Sequence, residues 1–364
     1  MTKGLTRREF VERSLTTGVS LGIGAALAGC GNVPRGEAAE DVMVGEGALE
    51  DELTIYNWSD YVGTTTVSDF EEEFGVRVIY DTYESNEDLL AKLQAGARGY
   101  DLICPTGYAV DVLRAFDLLA PIDHRALPNW GNLSPEFLGR SFDPQNRYTV
   151  PWLWGLTGIA YRSDLVTSPP DSWGVFLDEA YRGKMTQPDD MRDVIGCWLK
   201  YRGHSGNSRD PGELALAKAD AIRAKENLKS FVSAPVKDQL IAGDVWIAQL
   251  WNGDTSQAHE EEPRVSFSIP REGSMMYLDS MAIPRSARHP RAAHAFLNFM
   301  LRPQVAAAIS DRTGYGSPNA AAAPFQRRVA FVPTAEEFDR LEDQQDLAEG
   351  TALWDRIWTE IKVG

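Results

Sequence analysis

Aromatic rings, carboxylates or both recur at five places, each just past or within a stretch that reads as a β-strand. They are Trp58-Ser59-Asp60-Tyr61, then Thr106-Gly107-Tyr108, then Asp189-Asp190 with Asp193 a turn later, then Trp251-Asn252-Gly253-Asp254, and finally Tyr277 with Asp279. In open α/β sheets, ligands bind outside the carboxyl ends of parallel strands. Carboxylates there pair with ammonium groups through charge-assisted hydrogen bonds. Aromatic faces cover methylenes and add cation–π attraction. The combination suits a flexible aliphatic di- or trication. Each residue alone has an ordinary alternative. Trp58 and Trp251 fit core packing, Asp60 and Asp190 fit helix N-caps, and Asp254 fits a turn after Asn-Gly. Their recurrence at strand ends favours a ligand cleft.

Enzyme motifs are nearly absent. Gly18-Val19-Ser20-Leu21-Gly22 matches a nucleophile elbow but sits in a segment that reads as an export signal. Walker A, H-E-x-x-H and paired C-x-x-C are missing, and five histidines leave little for acid–base work. His259-Glu260-Glu261-Glu262 reads as a solvated charge run rather than a metal site. No catalytic residue, metal or cofactor is expected.

The elements that must position the cleft follow from periodicity. Residues 53–58, 76–82 and 100–104 read as strands, with helices over 66–74 and from 86 to about 96, a βαβαβ order that implies a parallel sheet flanked by helices. Residues 121–148 read as irregular. Further strands are expected at 157–162, 183–186, 245–250, 265–269 and 275–283. Helices are expected at 190–204, 211–231, 290–300 and 303–312, the last two opened by proline. The tail, 335–362, reads as mostly helical.

At 364 residues the chain is long enough for two domains. Its formal charge of −17 repels nucleic acid and attracts cations. The twin arginine in Thr6-Arg7-Arg8-Glu9-Phe10-Val11 precedes a short apolar run over 19–28 that ends in Leu27-Ala28-Gly29-Cys30. The first part resembles a twin-arginine export signal and the second a lipobox, which makes residues 1–29 a signal peptide and Cys30 the lipidation site. Residues 30–51 then read as the lipidated cysteine and a flexible tether. Cys104 and Cys197 lie in apolar stretches and read as buried free thiols.

From residue 53 onward the chain resembles the periplasmic spermidine/putrescine-binding proteins of ABC importers. The resemblance is carried by Tyr56-Asn57-Trp58-Ser59-Asp60-Tyr61, Tyr80-Asp81-Thr82-Tyr83-Glu84-Ser85-Asn86-Glu87, Val150-Pro151-Trp152-Leu153-Trp154-Gly155, Trp251-Asn252-Gly253, Leu278-Asp279-Ser280-Met281-Ala282-Ile283-Pro284 and Gly314-Tyr315-Gly316-Ser317-Pro318-Asn319. It implies an α/β fold, a two-lobed periplasmic-binding-protein-like (type II) clamshell, each lobe a mostly parallel sheet flanked by helices. Lobe 1 would comprise 52–155 plus about 278–325, and lobe 2 about 156–277 plus 326–364. By position, the resemblance assigns ligand contacts to Trp58, Tyr61, Thr106, Tyr108, Asp190, Asp193, Ser233, Trp251, Tyr277, Asp279, Tyr315 and Gln344. Asp193 stands where the spermidine type has Glu, and Tyr277 where the family has Trp or Phe. Asp60 and Asp254 resemble a putrescine-preferring branch, whereas Trp-Asn-Gly, the Asp-Asp-x-Arg-Asp run and the tail glutamine resemble a spermidine branch. The implied partners are a polyamine, the permease and ATPase of an ABC importer, and the membrane through a lipid anchor. The implied state is an exported monomer on the periplasmic or outer face of the cytoplasmic membrane, binding no nucleic acid. Other readings are a receptor for another small cationic solute or ferric ion, a polyamine sensor, and a secreted hydrolase.

Overall fold

The computed structural model describes residues 47–83, 85–233, 235–327, 331 and 333–364. The twin arginine and Cys30 lie outside them.

The first half of the fold opens with β1 (Glu52–Trp58), α1 (Thr66–Phe74), β2 (Arg77–Tyr83), α2 (Asn86–Gln94) and β3 (Leu102–Ile103). Both β2 and β3 pair parallel with β1, the arrangement expected from the βαβαβ order. Local signals set the boundaries. Gly75, at φ 67°, ends α1 in the left-handed region that glycine adopts without a Cβ clash. Ser85 opens α2 by accepting from the backbone N–H of Asp88. Along β1 the side chains alternate. Leu53 and Ile55 enter a core with Phe70 and Phe296, while Tyr56 enters the opposite core with Leu89 and Leu113. The sheet is therefore covered on both faces, as parallel sheets require.

Next come α3 (Gly107–Ala115), β4 (Leu119–Ala120) and β5 (Thr149–Arg162), with short 3₁₀ turns between 124 and 137. The strand expected at 157–162 is thus the second half of a 14-residue strand. Pro151 and Gly155 disguise its first half in the sequence. Then follow β6 (Met185–Gln187), α4 (Met191–Tyr201), α5 (Pro211–Lys225), β7 (Leu228–Phe231), α6 (Val236–Ala242), β8 (Ile247–Trp251), α7 (Asn252–Glu261) and β9 (Val265–Ser268). The helix expected over 211–231 stops at Lys225, and its last residues form β7, which pairs parallel with β6. The chain closes with β10 (Ser274–Pro284), α8 (Pro290–Met300), α9 (Pro303–Thr313), α10 (Ala335–Phe338), β11 (Leu341–Asp343) and α11 (Thr351–Val363). Proline occupies the first turn of α8 and of α9. The tail also contributes a strand, because β11 pairs with the start of β10.

The strand order is β2-β1-β3-β10-β5-β8-β6-β7. β5 joins its two halves: Thr149 to Leu156 pair with β10, and from Thr157 onward the partner is β8. Beyond that switch lies a separate core built on Trp173, Trp198, Leu214 and Trp354. The protein is a two-lobed α/β fold whose long strands β5 and β10 pass from one half to the other.

Candidate functional site

The C-terminal ends of β1, β3, β6 and β8 and the middle of β10 converge on one cavity of about 270 Å³. Its wall holds every predicted ligand residue: Trp58, Ser59, Asp60, Tyr61, Thr106, Tyr108, Asp190, Asp193, Ser233, Trp251, Asp254, Tyr277, Asp279, Tyr315 and Gln344. The volume sits just below the ~300–1,000 Å³ usual for small-molecule sites, which suits a small ligand.

Asp279 lies in the middle of β10, opposite Thr106, to which it forms an isolated antiparallel bridge just past the end of β3. Its carboxylate accepts from the Thr106 hydroxyl and the Tyr61 hydroxyl, each at 2.6 Å. Thr106 is itself held by Asn86, whose Nδ2 donates to the hydroxyl at 3.0 Å. Burial pushes the Asp279 carboxyl up to about 6, against the two hydrogen bonds that favour its charge.

Asp190 and Asp193 share the start of α4. Asp190 is the N-cap, accepting from the Asp193 backbone N–H at 2.9 Å, and it also faces the cavity. One side chain therefore both caps the helix and lines the cavity. Asp193 accepts from Thr157 Oγ1 and from Trp251 Nε1, each at 2.8 Å, and from Gln344 Nε2 at 3.4 Å. The shorter acid thus binds into the wall and fixes both Trp251 and the tail glutamine. Burial raises both carboxyls, and the neighbouring Asp190 charge raises Asp193 further.

Asp254 occupies the first turn of α7 rather than a free turn, where a negative charge meets the helix N-terminus. Burial pushes it up to about 6. The Lys237 ammonium and the Tyr315 hydroxyl, 3.4 Å away, pull in the other direction. Asp60 is different. Its backbone is left-handed (φ 52°), its side chain is 70% exposed, and Arg312 lies 3.9 Å away, so it marks the rim.

The rings form a linked set. Tyr61 meets Tyr315 edge-on at 5.4 Å, and Tyr315 meets Tyr277 at 6.4 Å. Trp58 donates through Nε1 to the Cys104 carbonyl at 3.0 Å and packs on Tyr83. Tyr108 donates to Glu87 at 3.2 Å, with the Arg192 guanidinium 5.2 Å from its ring. Burial raises Tyr61, Tyr108, Tyr277 and Tyr315 well above the usual tyrosine value, which keeps their hydroxyls neutral donors. Glycine makes room for two of them. A Cβ on Gly253 would stand 2.4 Å from the Tyr315 ring, and one on Gly155 would stand 2.4 Å from the Tyr277 hydroxyl. Ser233 accepts from the Asp189 backbone at 3.2 Å, while Asp189 itself is exposed and pairs with Lys362.

Three wall residues escaped sequence reasoning: Asn86, Lys237 and Gln257. Asn86 carries a signal, since it follows a capping serine and opens α2. Lys237 and Gln257 are polar side chains on α6 and α7, short helices on which they look like any surface residue. Cys104 and Cys197 are free and buried, as expected. The acidic run at 259–262 has structural partners: His259 bonds the Val265 carbonyl at 2.7 Å, and Glu262 pairs with Arg264.

A small, acidic, ring-lined cavity between two α/β halves defines a solute-binding protein. The chain matches the bacterial extracellular solute-binding protein family over residues 65–336, and it belongs to that family. Among its relatives is the spermidine/putrescine-binding periplasmic protein of Salmonella typhimurium, 34% identical over 321 residues, spanning 86% of this chain and 92% of that one. The putrescine-binding periplasmic protein of Escherichia coli is 36% identical over 352 residues, 89% of this chain and 95% of that one. The crystal structure of a Treponema pallidum lipoprotein superposes with a TM-score of 0.80 at 31% identity, covering 86% of this chain and all of that one.

Proposed function

We propose that this chain captures a protonated polyamine outside the cell and delivers it to an ABC importer. The observation that carries the reading is the composition of one wall. Asp190, Asp193, Asp254 and Asp279 face the same small cavity as Trp58, Tyr61, Tyr108, Trp251, Tyr277 and Tyr315. Carboxylates answer the ammonium groups and rings cover the methylenes between them. The polyamine-binding relatives from Salmonella typhimurium and Escherichia coli support the same assignment. On this reading the lobes are 52–155 plus about 278–325, and about 156–277 plus 326–364. They close by hinge motion over the ligand.

The reading extends to export and anchoring. Residues 1–29 serve as a twin-arginine lipoprotein signal, and acylated Cys30 tethers a monomer to the outer face of the membrane through residues up to 51. A lipoprotein among the structural relatives agrees with this. The chain is read as a receptor rather than an enzyme, since the cavity wall offers ammonium acceptors and the family is one of solute-binding proteins.

Isothermal titration of the purified chain with putrescine, spermidine and spermine tests the proposal. One-to-one binding of any of them is the expected result. No heat with all three, from a protein shown to be folded, would overturn it.

A further inference from the structure

Among the described residues that line the cavity, Lys237 is the one cation. It sits in the first turn of α6 and lines the cavity. Its Nζ donates to Gln257 Oε1 at 2.9 Å, and Gln257 Nε2 donates to the Thr313 carbonyl at 2.9 Å. The ammonium is thus held by Gln257 of α7, which is itself anchored to the end of α9. Lys237 lines the same cavity as Asp254, which lies one turn before Gln257 on α7, and its charge favours that carboxylate's ionised form against burial.

The wall presents its acids at three positions. One is Asp279, with Tyr61 and Thr106 as donors. The second is the pair Asp190 and Asp193, whose adjacent like charges favour keeping one proton between them. The third is Asp254, with Asp60 on the rim beside it. Three acidic positions would suit three ammonium groups. The third, however, already faces a protein cation.

We propose that Lys237 is a specificity-determining residue that neutralises the Asp254 end of the cavity and biases the site towards diamines over triamines. A diamine satisfies Asp279 and the Asp190–Asp193 pair and leaves Asp254 to Lys237. A triamine must bring a third ammonium up to Lys237, and like charges there repel. This inference rests on the polyamine reading.

The test measures affinities of the full chain for putrescine and spermidine, comparing wild type, Lys237→Met and Lys237→Arg. Lys237→Met keeps the aliphatic stem and removes the charge. It should raise the ratio of spermidine to putrescine affinity by about tenfold, or about 1.4 kcal/mol. Lys237→Arg should keep the wild-type ratio. Adding Asp254→Asn to Lys237→Met should cancel the gain. A ratio that does not move in a folded Lys237→Met protein, or an equal gain for both ligands, would overturn the inference while leaving polyamine binding intact. Failure of every form to bind either amine would remove the polyamine reading and this inference together.

Discussion

Asp279 concentrates the chemistry of the cavity in one side chain. Both carboxylate oxygens are already occupied by hydroxyl donors, so the group is oriented before any cation arrives. Asp279→Asn removes the charge and mismatches one of the two donors. Polyamine affinity should fall by about 2–4 kcal/mol, the scale for truncating one side of a buried charge pair. Calorimetry showing wild-type affinity would remove Asp279 from the binding role. The pH response follows from the same burial. Asp279 and Asp254 are both pushed up to about 6 from an ordinary 3.8. The folded state therefore binds more protons than the unfolded chain between these values, and the ligand-free protein loses stability as pH rises through that window. An ammonium bound at Asp279 favours its ionised form, so affinity should rise across the same window, with proton release. Titrations in buffers of different ionisation enthalpy, below and above about pH 6, would show that release. Proton uptake instead would contradict the assignment. The carboxylates and rings were legible because they cluster after strands. Lys237 was not, because a single lysine on a short helix looks like any surface residue.

At the scale of elements, the tail does more than its helical pattern suggests. Trp354 is fully buried in the second core and donates to the Ser208 carbonyl, and β11 adds a strand to β10. Arg192 ties this segment to α4. It donates to the Gln345 carbonyl and lies 5.1 Å from the Trp354 ring. The docked tail thereby carries Gln344 to Asp193. Trp354→Ala should cost about 3–5 kcal/mol in urea unfolding, the usual range for a buried tryptophan, and a loss below ~1 kcal/mol would mean that the tail docks by other means. The spacing of Trp354 and Trp358 made α11 readable. The strand Leu341–Asp343 was not, because three residues of mixed polarity hold no period. The βαβαβ opening was readable throughout, since its caps and alternation agree with its pairing. The first half of β5 and the α5–β7 boundary were hidden, the one by proline and glycine and the other by a polar strand that continues the helix's composition.

At the scale of the whole molecule, the proposed hinge closure would draw on contacts that the ligand does not make. Gln257 on α7 reaches the Thr313 carbonyl at the end of α9, and Arg192 stacks on Tyr108. Arg140, in the loop before β5, pairs with Asp343 of β11, and both side chains are partly exposed. On the proposed lobe assignment each of these links crosses the cleft. Partly exposed ion pairs contribute little, about 0.2–1 kcal/mol. The closed form is then not locked by the protein alone, and the ligand supplies the difference between open and closed states. Arg140 lies outside the cavity wall, so Arg140→Ala tests this coupling without altering the binding groups. Affinity should weaken by up to about fivefold, with the change in the dissociation rate, because a contact made only after closure slows opening. Stopped-flow dissociation separates the cases. A faster off-rate with an unchanged pH profile supports a latch across the cleft. An unchanged off-rate would remove the Arg140–Asp343 pair from the latch.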